Sequence, residues 1–493
     1  MVRHGSSPLD VNPPRSKYYD SGRFGRLFGK LPPFAADTPT TRAALLEIGK
    51  PKGIMDAADK LSAGPVQLIT DPALSQKNRN SQTHVAGDTF LGQFIDHDIT
   101  FDPTSSLERQ TDPEQISNFR TPSLGLDNVY GSGPTASPHL YDQTTGITML
   151  VEPGGTPGRF DVPRNSQNVA LIGDPRDDEN LILSQLQTAM LRFHNAVVER
   201  VRTELNLTDP GQIFAEAQRL VRWHYQWIVV EHFLRKTCGS DVVDDVLHNG
   251  RTFYKWHNEP FIPVEFSVSA YRFGHSQIRP SYRANFTGNP GGTPFFGMIF
   301  TKNSTPAGDP DDLSGGCRAP RRFVDWPTFF DFGDGQVRPN KKIDTTLSSA
   351  LFALPGSVVA HPHAGSNPAS LAQRNLLRHL TFALPSGQSV ARAMNLPVLA
   401  RGDLADLHEH GMDDRTPLWF YILREADITQ DGERLGPVGA RIVTEVFIGL
   451  LEGDRGSYLA QDPQWQPTLP TIDPSRQGDD FLMIDLLRFA GAA

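Results

Sequence analysis

The segment LGQFIDHDITF (residues 91–101) places several polar side chains in an otherwise apolar stretch. On a helix, Gln93, Asp96 and His97 stand at positions i, i+3 and i+4 and therefore share one face. Asp98 lies about 100° further round the helix, so its side chain is expected to face a different site. Because burying such groups without partners costs several kcal/mol each, we expect the shared face to meet a polar ligand.

A histidine beside carboxylates can serve several purposes. Its imidazole titrates near neutral pH, which suits proton transfer, and together with a carboxylate it can bind a divalent ion. It can also be an ordinary buried histidine, the commoner outcome for an isolated DHD triplet. A dinuclear metal hydrolase would need further ligands at helical spacing. His194 lies on an amphipathic pattern that suits the core, and His408 and His410 stand two residues apart and do not share a helical face.

Three further stretches carry groups of the same chemical kinds. GDPRDDEN sets Arg176 and Glu179 at i and i+3, by default a surface ion pair worth under about 1 kcal/mol. SAYRFGHSQIRPSYR (residues 269–283) carries His275 among aromatic residues. RNLLRHLTFALPSGQSVARAM (residues 374–394) sets a basic helix before LPSGQ. Singly, each stretch has an ordinary structural interpretation.

The elements that hold these groups are predicted to be mainly helical. Asp174 and Pro175 supply an N-cap and a first helical position before ENLILSQLQTAMLRFHNAVVERVRTEL, which predicts one long helix. A second helix runs through QIFAEAQRLVRWHYQWIVVEHFLRKTCG and ends at Gly239 after a basic last turn. Further helices are predicted at 371–382, 386–395, 438–453 and 478–489.

Long Pro/Gly-rich connections separate these helices, at 102–165, 285–345 and 355–370. Functional or cofactor-wrapping loops are the usual reason for connections of that length. The sequence shows no hairpin series and no repeat. We therefore predict a mainly α fold with little β, in which an irregular N-terminal arm (residues 1–70) precedes a single large helical domain (residues 71–493).

Composition argues against several classes of protein. The net charge of −9 is spread along 493 residues without a basic stripe, so no nucleic-acid partner is expected. The apolar runs fall far short of the roughly 20 residues that span a bilayer, so no membrane span is expected. Cys238 and Cys317 are the only cysteines, too few for a disulfide scaffold or a thiolate metal site. The polar amino terminus has no signal-peptide pattern, and a cytoplasmic location is expected.

Taken together and in this order, the four stretches resemble the animal-type haem peroxidases of the peroxidase-cyclooxygenase superfamily, in their bacterial-type members. The resemblance runs from about residue 80 to the carboxyl end. GQFIDHD resembles the distal-side signature, GDPRDDE the catalytic-arginine helix, RFGHSQI the proximal-histidine helix and RNLLRHLTFALPSGQ the segment that follows. It implies a helical peroxidase domain that contains haem b and reacts with hydrogen peroxide.

The resemblance implies a distal side built from His97, Arg176 and Gln93. A neutral imidazole at His97 can take a proton from one oxygen of a peroxide and return it to the other. Arg176 stays charged at every working pH and can stabilise the charge that develops as the bond breaks. Gln93 would line the distal cavity, where the family holds water or a halide.

On the cofactor itself, the resemblance assigns the haem iron to His275, with Arg272 beside the haem. An iron-bound imidazole needs a hydrogen-bond partner for its second nitrogen. The family usually offers an asparagine there, and this chain is predicted to offer Gln388. Asp96 and Glu179 match the carboxylates that become esterified to haem methyl groups.

A calcium site is implied by the loop TPSLGLDNVYG that follows. Asp98, Thr121, Ser123 through its carbonyl, and Asp127 would be its ligands, and hard cations prefer six to eight oxygens. Gly125 stands where an aspartate is common, which removes one carboxylate. The alternative is a plain Gly/Asn turn without metal.

The implied reaction is peroxide-driven oxidation of small donors such as iodide, bromide, thiocyanate and phenols. Asn180 stands where the one mammalian member with a sulfonium-linked haem has methionine, so that link is excluded. A fatty-acid dioxygenase of the same superfamily is an alternative, although its radical tyrosine position is occupied here by Arg272, next to Tyr271. A catalytically silent haem- or calcium-binding scaffold is a second alternative, and the hydrolase, active without haem, is a third.

Overall fold

A computed structural model of the chain describes residues 22–102, 110–256, 259–286, 293–301, 309–356, 358–359 and 367–493. It is about 47% helical and 9% strand, which confirms the predicted mainly α fold. Within the described ranges, none of the helices is both long and apolar enough to cross a membrane.

The helices surround one hydrophobic core that draws on the whole described chain. In chain order the α-helices are α1 (Pro39–Ile48), α2 (Pro65–Thr70), α3 (Ala86–Ile99), α4 (Asp127–Tyr130), α5 (Gly133–Ala136), α6 (Leu181–Leu205), α7 (Pro210–Trp227), α8 (Arg235–Cys238), α9 (Ser240–Asn249), α10 (Leu371–Thr381), α11 (Gly387–Ala393), α12 (Leu418–Gln430), α13 (Pro437–Gly453), α14 (Tyr458–Gln461) and α15 (Met483–Phe489). Turns of 3₁₀-helix lie at Leu61–Ala63, Pro72–Leu74, Pro113–Gln115, Pro138–Leu140, Pro175–Asp178, Ala270–His275, Trp326–Thr328, Ser349–Phe352, Arg401–His410 and Pro474–Arg476. Segments of π-helix lie at Ile228–Leu234 and Glu265–Ser269.

The strands are short and form small sheets at the edges of the helical body. They are β1 (Gly22–Gly25), β2 (Asn80–Val85), β3 (Ser117–Asn118), β4 (Glu152–Pro153), β5 (Phe160–Asp161), β6 (Ile262–Pro263), β7 (Ser281–Arg283), β8 (Phe296–Met298) and β9 (Pro339–Lys341). Their sheet orders are β3-β1-β6, β2-β9, β4-β5 and β7-β8.

Residues 22–70, predicted to be irregular, are ordered against the rest of the fold. Strand β1 pairs antiparallel with β3, with Gly22 opposite Asn118, and parallel with β6, with Phe24 opposite Ile262. Buried side chains from this part are Phe24, Phe28, Phe34, Leu45, Ile48 and Met55. The expectation of an irregular arm is therefore corrected from residue 22 onward, because its backbone pairs with strands far away in sequence. Residues 1–21 lie outside the described residues, and the domain boundary at residue 70 stays a prediction.

The two long predicted helices are present, with one correction. Asp174 caps the first turn as predicted, since its side chain accepts a hydrogen bond from the backbone N–H of Arg176 at 2.8 Å. The backbone of Asn180 is extended (φ −137°), and its side chain caps α6 by accepting a hydrogen bond from the backbone N–H of Leu183. The predicted single helix is therefore divided into a 3₁₀ turn followed by α6. The second helix runs as α7, a π-helical segment and α8, and ends at Gly239 (φ 92°) as predicted.

The shorter predicted helices divide into those found and those displaced. Helices α10, α11 and α13 confirm the predictions at 371–382, 386–395 and 438–453. At 478–489 only the second half is helical, as α15. Helix α12 was missed because most of its residues are buried, so its sequence lacks the polar face that makes a helix recognisable.

Candidate active site

Helix α3 presents the polar face predicted from the sequence. Gln93, Asp96 and His97 all line a cavity of about 230 Å³. Asp98 is buried elsewhere, beside the N-terminus of α4, where it accepts a hydrogen bond from the backbone N–H of Asp127 at 2.8 Å. The helical period alone therefore separated these side chains correctly into two groups.

The turn before α6 supplies a second carboxylate to this cavity. Gln93 donates a hydrogen bond from Nε2 to Oε2 of Glu179 at 3.1 Å, and Nδ2 of Asn180 donates to Oε1 of Gln93 at 3.2 Å. Burial raises the pKa of the Glu179 carboxyl above its usual range. Glu179 thus faces the same space as Asp96 from a different element.

Arg176 is not in the surface ion pair that its spacing suggested. Its Nη2 donates to Oδ2 of the buried Asp174 at 2.8 Å and to the carbonyl of His97 at 3.2 Å. It lines a neighbouring cavity of about 100 Å³, to which Asp96 and Arg272 also contribute. The guanidinium therefore lies behind the end of α3, close enough to act on His97 through its charge.

The imidazole of His97 is paired with a carboxylate that the sequence analysis missed. Nδ1 of His97 and Oδ1 of Asp177 are 2.7 Å apart, and both side chains are buried. Burial and the charge of Arg176 lower the pKa of His97 to about 4, while burial and Asp174 raise the pKa of Asp177. The sequence offered one signal, because Asp177 directly follows Arg176 in the same turn.

The 3₁₀ turn Ala270–His275 supplies another wall of the same cavity. His275 and Arg272 both line it. Burial and the nearby charge of Arg272 lower the pKa of His275 to about 3, which keeps the imidazole neutral, the form that binds metals. Nδ2 of Asn375 on α10 lies 2.7 Å from Nδ1 of His275 and donates to it, while Oδ1 of Asn375 accepts from Nη1 of Arg272 at 3.3 Å. A half-turn of the amide would present Oδ1 to an Nδ1–H of His275 instead.

Gln388 does not reach His275, so its assignment as the partner of that histidine is corrected. Its Nε2 donates to Oγ1 of Thr416 at 2.8 Å, and its Oε1 accepts from the backbone N–H of Thr416 at 2.9 Å. Asn375 is the amide side chain that lies beside His275. A usable signal was the position of Asn375 four residues before the buried His379, on one face of a basic helix.

Buried positive charge adjoins both cavities. Arg272 donates from Nε to the carbonyl of Ser267 at 2.9 Å, and Arg272 and Arg378 both line the smaller cavity. Burial and the charge of Arg378 lower the pKa of Arg272 to about 10. Asp102, which also lines the smaller cavity, attracts both guanidinium groups.

The loop predicted to bind calcium brings its residues to Asp98. Oδ2 of Asp127 accepts from the backbone N–H of Thr121 at 3.0 Å. Burial and Asp127 raise the pKa of Asp98 to about 8, and Oδ2 of Asp98 is buried with no hydrogen-bond partner within the described residues. Ser123 belongs to the same loop and is also buried.

A positive side chain explains why residue 125 is glycine. Nε of Arg222 donates to the carbonyl of Gly125 at 2.8 Å. A Cβ at position 125 would lie 2.8 Å from Nη2 of Arg222, so an aspartate could not stand there without moving the guanidinium. The cation of Arg222 thus takes the space that a further carboxylate would need.

The histidines considered as ligands of a hydrolase have other surroundings. His194 is buried, with Nδ1 3.1 Å from Oη of Tyr130 and Nε2 2.9 Å from the carbonyl of Ile147, so it is a core histidine. His408 lies 2.9 Å from Asp413 on the surface. The part of the chain that the structure describes contains no group of three or more His, Cys, Asp or Glu residues that could hold a metal ion. The hydrolase alternative therefore lacks a ligand set there.

Comparison with known proteins finds a family similarity in the middle of the chain. Residues 105–313 match the family model described as animal haem peroxidase. This part of the chain is therefore similar to animal haem peroxidases. The matched range includes the turn before α6 and His275, and the bacterial type stays a prediction.

The similar proteins are distant in sequence. The chain is 25% identical to thyroid peroxidase from Sus scrofa over 385 residues, which cover 70% of this chain and 38% of that protein. It is 23% identical to peroxidasin from Drosophila melanogaster over 345 residues, which cover 65% of this chain and 20% of that protein. The chain therefore spans well under half the length of these relatives.

Solved structures share the fold. Peroxidase A from Dictyostelium discoideum superposes with a TM-score of 0.61 at 18% identity, and the match covers 95% of this chain and 93% of that one. The fatty acid alpha-dioxygenase of Oryza sativa superposes with a TM-score of 0.55 at 15% identity, covering 86% of this chain and 74% of that one. At these identities the likeness concerns the fold alone.

The cavity suits the haem that the similarity to animal haem peroxidases implies. A neutral histidine, His275, faces it from one wall, and the carboxylates Asp96 and Glu179 face it from others. Arg272 lines the same cavity, and Arg378 lies with it in the neighbouring smaller cavity; both are half-buried cations that could pair with the carboxylates of a haem. The donor set therefore fits a haem held at His275.

The pairing of Asn375 with His275 leads to a test that also checks the correction of Gln388. We expect Asn375→Leu to raise the reduction potential of the bound haem, because an imidazole without its hydrogen-bond partner is a weaker donor and stabilises ferric iron less. The measurement is a spectroelectrochemical titration. Gln388→Leu is the matched control and should leave the potential unchanged; a shift in the control but not in Asn375→Leu would contradict the assignment.

Proposed function

We propose that this chain is a haem-dependent peroxidase, which uses hydrogen peroxide to oxidise small donors. The observation that carries the proposal is that His97, backed by a carboxylate, and the neutral His275 line one cavity from two different elements. When bound, the haem would supply the two-electron reducing equivalents that peroxide consumes and would recover them from donors. The remaining chemistry belongs to the side chains around it.

His97 would move the proton. Its Nδ1 is occupied by Asp177, so Nε2 is the nitrogen left for the cavity. In its neutral form Nε2 can accept a proton from one oxygen of hydrogen peroxide and deliver it to the other, which leaves as water. Burial keeps the pKa of His97 low and so favours this neutral form.

Arg176 would contribute fixed charge to the same step. Its guanidinium is held by Asp174 and by the carbonyl of His97, so its position is set before any substrate arrives. A preorganised cation in a site of low dielectric stabilises developing negative charge without a cost of reorganisation. Gln93, fixed by Glu179 and Asn180, would orient water or an anion beside it.

The donors that we propose are small. The cavity that would hold the haem is lined on one side by polar groups and on another by Phe90, Phe273 and Ile278. Anions such as iodide, bromide and thiocyanate, and small phenols, suit this mixture of surfaces. These donors belong to the proposal.

A fatty-acid dioxygenase is the second candidate, and one observation favours it. Tyr271 lines the cavity, and its Oη donates to the carbonyl of Gly92 at 3.0 Å, so an oxidisable phenol stands beside the haem site. Arg272 occupies the position where such enzymes carry their radical tyrosine, which favours the peroxidase. Consumption of oxygen with a long-chain fatty acid, absent in Tyr271→Phe, would support the dioxygenase instead.

Two finer features belong to the same proposal. Asp96 and Glu179 would form ester links to the haem, which their positions on the cavity wall support. Calcium would bind between Asp98 and Asp127, with Thr121 and Ser123 as further ligands. The raised pKa of Asp98 and its unpartnered buried oxygen support a cation there, while the charge of Arg222 opposes it.

The central test is the visible absorption spectrum of the purified holoprotein before and after one equivalent of hydrogen peroxide. We expect a Soret band that shifts within seconds. His97→Leu should retain the haem but slow this shift by about 10²- to 10⁴-fold, the usual contribution of a positioned acid-base group. Absence of a Soret band would refute the haem assignment, and an unchanged rate in His97→Leu would favour a silent scaffold.

Covalent attachment is tested by extraction with acidified acetone and by mass spectrometry of haem-bearing peptides. The wild-type haem should resist extraction, and Asp96→Asn and Glu179→Gln should each lose one link. Asp88 also lines the cavity but caps α3 by accepting from the N–H of Val85 at 2.8 Å, so Asp88→Asn is a matched control that should keep both links. Complete extraction from the wild-type protein would rule the esters out.

Calcium binding is tested by thermal unfolding with calcium or a chelator. We expect chelation to lower the unfolding temperature of the wild-type protein. Arg222→Met should bind calcium about tenfold more tightly, because removing a nearby cation removes roughly 1.4 kcal/mol of repulsion or more. Asp98→Asn should abolish the calcium effect, and an unfolding temperature that is indifferent to calcium in both wild type and Arg222→Met would exclude the site.

A further inference from the structure

Behind His97 lies a chain of buried hydrogen bonds that leads away from the cavity. Nδ1 of His97 is 2.7 Å from Oδ1 of Asp177, and Nδ2 of Asn128 donates to the other carboxylate oxygen, Oδ2, at 3.0 Å. Nε2 of Gln187 on α6 donates to the carbonyl of Asn128 at 3.0 Å. Asp177, Asn128 and Gln187 are all 0% exposed, so solvent does not compete for any of these bonds.

This arrangement determines which face of the imidazole is available for chemistry. In its ionised form the carboxylate of Asp177 can only accept, and it then holds the ring proton on Nδ1 of His97 and leaves the lone pair on Nε2. It also fixes the rotation of the ring. When Nε2 takes up a proton, the same carboxylate becomes the partner of an imidazolium, and such charge-assisted hydrogen bonds are the stronger ones.

The surroundings of Asp177 act in both directions. Burial and the charge of Asp174 raise its pKa, whereas Arg176, the hydrogen bond from Asn128 and Arg120 favour its ionised form. Both arginines are bound to Asp174. Asn128 holds the second carboxylate oxygen, so a rotation of Asp177 away from His97 would break two hydrogen bonds in a dry interior. The carboxylate is therefore pre-oriented toward the ring.

We propose that Asp177 is the positioning residue of His97: it sets the tautomer and the orientation of the imidazole so that Nε2 faces the cavity as a base. This inference rests on the peroxidase function proposed above. A merely structural role, in which Asp177 ties the turn before α6 to the loop that carries Asn128, is the competing explanation. The two explanations predict different reactivity of the bound haem in a variant of Asp177 that still folds.

The experiment compares Asp177→Asn with Asp178→Asn in the haem-loaded protein. Asp178 is the neighbouring carboxylate, and it pairs with Arg164 at 2.6 Å instead of with His97, so its substitution removes a partly buried ion pair without touching the ring. Haem content and unfolding temperature measure structural damage in both variants. The ability of His97 to act as a base is measured by the second-order rate constant of the peroxide-induced Soret shift and by the dissociation constant for cyanide. Cyanide is informative because hydrogen cyanide must pass its proton to a base when it binds as an anion.

We expect Asp177→Asn to keep its haem, to slow the peroxide reaction by about 10- to 100-fold and to weaken cyanide binding by a similar factor, in the range typical for outer-shell partners of a functional histidine. Asp178→Asn should be destabilised at least as much, with both haem readouts within about twofold of wild type. Equal rates and cyanide affinities in Asp177→Asn and wild type would overturn the proposal. So would parallel losses in both variants, which would indicate structural damage.

A second variant covers the case in which Asp177→Asn does not fold with haem. Asn128→Ala leaves the carboxylate in place but frees one of its oxygens. Cyanide binding should then weaken by several-fold with haem content unchanged, and an unchanged affinity would overturn the proposal. If the wild-type protein binds haem but does not react with peroxide, the proposed function fails, and the cyanide comparison still decides whether Asp177 positions His97.

Discussion

The structure depends on one constraint: the charged groups between α3 and the turn before α6 are out of water and must satisfy one another. Asp174 is fully buried, and Arg120 and Arg176 both bond to its carboxylate. Burial alone would raise the pKa of Asp174, and the two guanidinium groups hold it well below the usual range instead. Breaking a buried pair by removing one partner typically costs about 3 to 5 kcal/mol, so this cluster fixes the end of α3 against the turn. Because His97 lies near this end of α3, the attachment also fixes the position of His97.

The walls of the cavity are also joined to each other. Tyr271 donates from Oη to the carbonyl of Gly92, which connects the 3₁₀ turn that carries His275 directly to α3. A Cβ at Gly92 would crowd the ring of Phe233 at 3.2 Å, whereas it would meet Oη of Tyr271 at an ordinary contact distance of 3.8 Å. The separation between the histidine-bearing elements is thus set by packed backbone and aromatic side chains and does not rely on a flexible loop.

A further consequence is that the predicted calcium loop and the distal histidine form one hydrogen-bonded unit. Asp98 on α3 accepts from the N–H of Asp127, and the adjacent Asn128 donates to Asp177, which pairs with His97. A cation at Asp98, or the guanidinium of Arg222 beside Gly125, would therefore lie against this loop. The loop also carries Asn128, which holds the carboxylate that pairs with His97. A continuous series of contacts thus links Asp98 on the loop side to His97 at the cavity.

What the sequence determined by itself was local. The shared face of Gln93, Asp96 and His97 follows from the helical period, and the caps at Asp174 and Gly239 follow from side chains and backbone preferences within a few residues. Tertiary structure decided everything that depends on which distant segments meet. Asn375, and not Gln388, lies against His275 because α10 packs there, 100 residues along the chain. Asp177 is the partner of His97 for the same reason, since a carboxylate in a polar turn looks like solvated surface until the fold buries it. Hydrogen bonds between residues close in sequence can be inferred from their spacing. The partner of a buried polar group depends instead on desolvation and on the packing of distant segments, and a short stretch of sequence does not specify either of these.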